Sequence, residues 1–65
     1  MAIINIFYQL QGYTLYVHVP AIVKSNFEER FIDASYNKRL NRYVLFNNEQ
    51  NIQKVEDFIT DMEAE

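Results

Sequence analysis

From Ile3 to Val19 apolar and uncharged polar residues alternate with a period of two, broken once at Gln11-Gly12. The pattern predicts two antiparallel strands, Ile3-Leu10 and Tyr13-Val19. A turn at Gln11-Gly12 would set Leu10 opposite Tyr13, Tyr8 opposite Leu15, Ile6 opposite Val17 and Ile4 opposite Val19, which makes one face wholly apolar. The other face carries Ile3, Phe7 and Tyr16, with Asn5, Gln9, Thr14 and His18 between them. In this register Phe7 stands opposite Tyr16, and His18 opposite Asn5.

Pro20 closes the second strand, because it cannot donate to a ladder and its ring suits the first turn of a helix. A helix is expected over about Ala21-Ile32, with Ser25 and Asn26 as an alternative later start. Val23, Phe27, Arg30 and Phe31 share one face of it with Ile22 beside them, while Lys24, Glu28 and Glu29 point away. Residues 33–41 are rich in turn formers and lead into the strand Arg42-Phe46. Ala34-Tyr36 is a candidate fourth strand to partner it, in which case Asn37-Asn41 would be a five-residue hairpin connection. Asn47 or Asn48 then caps a last helix, whose stripe of Ile52, Val55, Phe58, Ile59 and Met62 fits the sheet face of Ile4, Ile6, Tyr8, Leu15 and Val17.

These elements predict an α+β fold: a small antiparallel sheet of three or four strands, in the order β-β-α-β(β)-α, with both helices packed on one face. The face holding Phe7 and Tyr16 is left uncovered. The 65 residues form one domain, 1–65, and a chain of this length buries only about 60% of its unfolded surface. Thin stability of this kind favours oligomerisation. Ten Phe and Tyr residues argue against disorder.

Charge is unevenly laid out. Residues 1–23 have no Lys, Arg, Asp or Glu, residues 24–42 are net basic through Lys24, Arg30, Lys38, Arg39 and Arg42, and the remainder is strongly acidic. The N-terminus has no basic residue and its apolar stretch is interrupted by Asn5, Gln9, Gln11 and Gly12, unlike a secretory signal. No run approaches the roughly 20 apolar residues of a membrane span. The expectation is a soluble cytoplasmic protein with no membrane contact.

Chemistry-bearing residues are few, and no enzyme is expected. There is one His, His18, and no Cys, and nothing near Ser25 or Ser35 would activate a nucleophile. A single glycine, Gly12, excludes phosphate-cradling loops. The scattered acids do not form an oxygen-ligand metal site, so neither metal nor cofactor is expected.

Three constellations remain. Ile3, Phe7, Tyr16 and His18 lie on the uncharged, uncovered face, and an exposed apolar patch of that kind marks a protein contact. Asp57, Asp61 and Glu65 recur at four-residue steps and form a like-charge stripe suited to a partner with a basic surface. Lys38, Arg39 and Arg42, bracketed by Tyr36 and Tyr43, make a basic and aromatic hairpin, the combination used on single-stranded nucleic acid. The stretch from Tyr36 through the aromatic strand to the closing helix is similar in outline to the HARP module of annealing helicases, without the tryptophan expected in that strand. That resemblance implies nucleic-acid binding, which the acidic chain disfavours. The leading expectation is a small non-enzymatic regulator or inhibitor, of the type phages and mobile elements encode. It acts by protein contact and is homodimeric through the first hairpin. A weak single-stranded nucleic-acid module is the alternative.

Overall fold

A computed structural model describes residues 5–63; Ile3, Ile4 and Glu65, which figure in the expectations above, lie outside the described residues. Strands β1 (Phe7–Gln11) and β2 (Thr14–His18) are followed by a short 3-10 turn (Ala21–Val23) and helix α1 (Lys24–Arg30). Strands β3 (Ser35–Asn37) and β4 (Arg42–Phe46) and helix α2 (Glu49–Glu63) complete the chain. All pairings are antiparallel, and the four-stranded sheet has the order β1-β2-β4-β3. The α+β architecture expected from the alternation is present, including the short strand before the Arg42 hairpin.

The first hairpin closes differently from the expected register. Its two turn residues are Gly12 and Tyr13, with Gln11 paired to Thr14, Tyr8 to Val17 and Phe7 to His18. Gly12 has φ +57° and Tyr13 has no positive φ. That pattern matches the II′ turn, whose first central residue must be left-handed and whose twist suits a hairpin. Placing Gly12 first slides the strands by two residues, so Phe7 faces His18 and not Tyr16. A slip of two preserves the faces, which is why the apolar side survives intact.

The helical segment after Pro20 is also shorter than the expected residues 21–32. Val23 has φ −117° and ψ 11°, which breaks the segment into a 3-10 turn and α1. Phe31, at φ −121° and ψ 65°, ends α1 one residue beyond Arg30. Phe31 still turns inward, whereas Ile32 is exposed. The connection between β3 and β4 has four residues, with Asn41 at φ 58°, a left-handed conformation that asparagine tolerates.

The three asparagines near the start of α2 fix its position. Asn48 Oδ1 accepts the Asn51 N–H at 2.8 Å, a side-chain cap at the N3 position. Asn51 Nδ2 donates to Phe46 O at 2.9 Å, while Asn47 donates through its backbone to Tyr13 O and through Nδ2 to Gly12 O. The helix is thereby latched to both β4 and the first turn.

One core joins the layers. Ile6, Leu15, Val17, Val19 and Tyr43 of the sheet side meet Val23, Phe27 and Phe31 from the α1 region and Val55 and Phe58 from α2. Phe27 is at its centre, with ring centroids 4.2 Å from Phe31, 4.6 Å from Tyr43 and 5.4 Å from Phe58. Burying each such side chain stabilises the fold by about 1.5 to 3 kcal/mol. With both helices drawn to this side, the opposite face of the sheet is left open.

Candidate functional site: the open face of the sheet

Alternation along each strand decides what the open face presents. Three cross-strand rows result. Phe7 and His18 pair, as do Arg42 and Asn37; Gln9, Tyr16, Val44 and Ser35 form the second row, and Gln11, Thr14 and Phe46 the third. The four strands together contain one charged side chain, Arg42, and no acid. Phe46 is 70% exposed and Phe7 38%.

The first row is ordered by its own contacts. The Phe7 and His18 rings stack at 4.8 Å with 20° between their planes. The Arg42 guanidinium lies 5.5 Å from the Phe7 centroid, and its Nη1 is 3.3 Å from His18 Nδ1. The same Nη1 donates to the carbonyls of Leu40 and Asn41, at 3.3 and 3.1 Å, so the hairpin tip holds the cation in place. An arginine neighbour makes Nδ1 the acceptor and assigns the imidazole proton to Nε2. Burial, and secondarily the charge of Arg42, lowers the His18 pKa below its ordinary value. The row therefore presents a fixed cation and a neutral, stacked imidazole.

The basic and aromatic hairpin is divided between the two sides of the sheet. Tyr36 pairs directly with Tyr43, so both rings point to the helix side and Arg42, one residue earlier, points away. Tyr43 is 3% exposed and its hydroxyl donates to Glu28 Oε2 at 2.6 Å, so its ring has no free face for a base. Burial and then the Glu28 bond raise its pKa far above the ordinary tyrosine value. Tyr36 meets Tyr43 edge-on at 4.9 Å under Lys24, accepts from Lys24 Nζ and donates to Asn41 Oδ1. Lys38 and Arg39 remain exposed at the tip.

The acidic stripe on α2 is partly engaged within the chain. Arg30 Nη1 lies 2.7 Å from Asp61 Oδ2, and Asp57 Oδ1 accepts from Gln53 Nε2 at 3.0 Å. With its charge met by Arg30, Asp61 is a poorer electrostatic contact than its spacing implies.

Two features are not evident from spacing alone. Val44 and Phe46 join Arg42 on the open face, a grouping that period-two alternation carries once the face of Tyr43 is known. A cleft of about 600 Å³ runs between the end of β4, residues 31–35 and the start of α2, with Asp33, Lys54 and Phe46 among its lining residues. Among the described residues no group of three or more His, Asp or Glu side chains is placed to hold a metal ion. No described helix is long and apolar enough to cross a membrane. Comparison with protein-family models, curated proteins and solved structures finds no match to this chain.

Proposed function

We propose that this chain is a non-enzymatic binding module that meets a protein partner through the open face of its sheet. The observation that carries the reading is the composition of that face: Phe7, Tyr16, Val44 and Phe46 around the single cation Arg42, with no acid in any strand. Apolar and aromatic surface around one ordered arginine is the make-up of a contact centre, since aromatic and arginine side chains carry most binding energy in protein interfaces. The reading makes the chain a small regulator or inhibitor that works by occupying its partner's surface. The acids of α1 and α2 then lie away from the contact and keep the complex solvated.

A photo-crosslinking residue in place of Tyr16, used in a lysate of the source cell, should capture a defined protein. Tyr16→Asp should abolish co-purification of that protein while leaving the fold intact. Retention of the partner by Tyr16→Asp would remove the face from consideration.

The absence of acid on this face also favours a second reading, a single-stranded nucleic acid stacked on Phe7 and Tyr16 with phosphates at Arg42, Lys38 and Arg39. Three cations limit the salt slope to about −2, so binding would show only at low salt. Titration with an oligonucleotide at about 50 mM salt, lost in Arg42→Glu, tests it.

A further inference from the structure

The two edges of the sheet are built in opposite ways. β3 forms one edge with only three residues, and Asp33 and Lys38–Arg39 place charges on either side of it. Shortness and flanking charge are the usual protections against strand addition. β1 forms the other edge with five residues, Phe7–Gln11, that carry no charge, no proline and no interruption of register. Among the described residues nothing pairs with its outer side.

The direction of its backbone groups follows from the turn. With a two-residue loop, Gln11 and Thr14 exchange both hydrogen bonds, and the alternation continues through Gln9 with Tyr16 and Phe7 with His18. The bond from Asn47 N–H to Tyr13 O fixes the same parity, because it turns the odd-numbered residues of β2 toward β4. Tyr8 and Leu10, and Ile6 by the same alternation, therefore aim N–H and C=O outward. Such a row is symmetric about Tyr8 and is its own complement when reversed.

We propose that β1 pairs antiparallel with β1 of a second copy, Tyr8 opposite the partner's Tyr8 and Ile6 opposite the partner's Leu10. This is an isologous two-fold contact that joins the two sheets into one. On the helix side it brings Leu10, which is 49% exposed, against the partner strand at Ile6, whose own side chain is already in the partner's core; on the open face Phe7 comes beside the partner's Gln9. The self-complementary outward row of Ile6, Tyr8 and Leu10 favours a second copy at this edge, and charge on the strands does not oppose it. Each chain carries a net charge of −3, yet residues 1–23 hold none of it, so two copies can approach here without opposing like charges on the strands. Glu56 is the acid drawn to this border, and the Tyr8 hydroxyl already donates to it at 2.7 Å. The two-fold axis runs perpendicular to the sheet, so both open faces lie on the same side. On the binding role proposed above, the dimer is bivalent; the pairing itself does not depend on that role.

Sedimentation equilibrium of the full chain should give a dimer at about 100 μM, and Leu10→Lys should weaken it at least tenfold. A synthetic chain N-methylated at Leu10 keeps every bond to β2 and loses only an outward donor; it should be a folded monomer. Hydrogen exchange of the Tyr8 and Leu10 amides should slow as protein concentration rises. A wild-type monomer at that concentration, or a dimer that survives N-methylation of Leu10, would overturn the proposal. Tyr16→Asp separates the two readings: it should cut partner capture and leave the dimer mass unchanged.

Discussion

Arg42 Nη1 lies 3.3 Å from Nδ1 of His18, and this contact couples the hairpin tip to the Phe7–His18 row of the open face. Burial and the Arg42 charge both disfavour the imidazolium, so the His18 pKa is lowered in the fold. The unfolded chain then binds more protons than the folded one below about pH 6.5, the ordinary histidine value. Stability from this source is fully present above that pH and is lost as the pH falls toward the folded value. The single histidine makes the test direct. An NMR titration of its ring should give a midpoint below the ordinary value, and Arg42→Met should raise it without restoring it fully, since burial is the larger cause. An unchanged midpoint would mean that the guanidinium does not sit against the ring.

The Tyr43 hydroxyl has the opposite sign. Burial and the bond to Glu28 raise its pKa, and the bond from Tyr8 to Glu56, with some burial, raises that of Tyr8. Neutral phenols are therefore favoured in the fold, and the stability they contribute is present below about pH 10 and declines above it. Ultraviolet titration should show Tyr43 ionising only as the chain unfolds in alkali, and Tyr8 ionising above the ordinary tyrosine range. Tyr43→Phe keeps the ring in the core and releases an exposed Glu28 to water, so its cost at neutral pH should be about 1 kcal/mol by denaturant unfolding.

Alternation reported the faces of the sheet correctly because side-chain direction along a strand depends only on parity. Ile6, Leu15 and Val17 enter the core, and Val55 and Phe58 of the helical stripe meet them. Register was not carried by the same signal, because a slip of two leaves every face unchanged; turn chemistry decided it, through the positive φ that Gly12 supplies at the first central position. The basic and aromatic hairpin looks like a unit in the sequence because Tyr36, Lys38, Arg39, Arg42 and Tyr43 are close along the chain. Direct pairing of Tyr36 with Tyr43 sends those rings to the opposite side from Arg42. The partner of Asp61 was beyond any local pattern, since Arg30 stands 31 positions away and meets it only after α1 and α2 pack.

The turn permits a test of that register argument. A Cβ added at Gly12 meets nothing within 4 Å, so Gly12→Ala carries only the backbone penalty of φ +57°. That cost should be about 1 to 2 kcal/mol in denaturant unfolding. D-alanine at the same position fits the left-handed backbone and narrows the unfolded ensemble, so it should stabilise by about 0.4 to 1 kcal/mol. A turn with Gln11 and Gly12 at its centre, and hence the shifted register, would instead place the Phe7 ring beside Tyr16. The nuclear Overhauser contacts of Phe7 with the His18 ring distinguish the two.

Phe27 carries the most concentrated risk in the fold. It is fully buried and packs against Phe31, Tyr43 and Phe58, so it ties α1 to both the sheet and α2. Truncation leaves a cavity that three surrounding rings cannot close without losing their mutual geometry. Phe27→Ala should therefore cost about 3 to 5 kcal/mol, comparable to the whole stability of a domain this small. Circular dichroism of that variant should show an unfolded chain at room temperature. Phe27→Leu retains most of the volume and should fold with a loss of about 1.5 kcal/mol or less. If the alanine variant melts like the parent, the rings are not the joint between the layers.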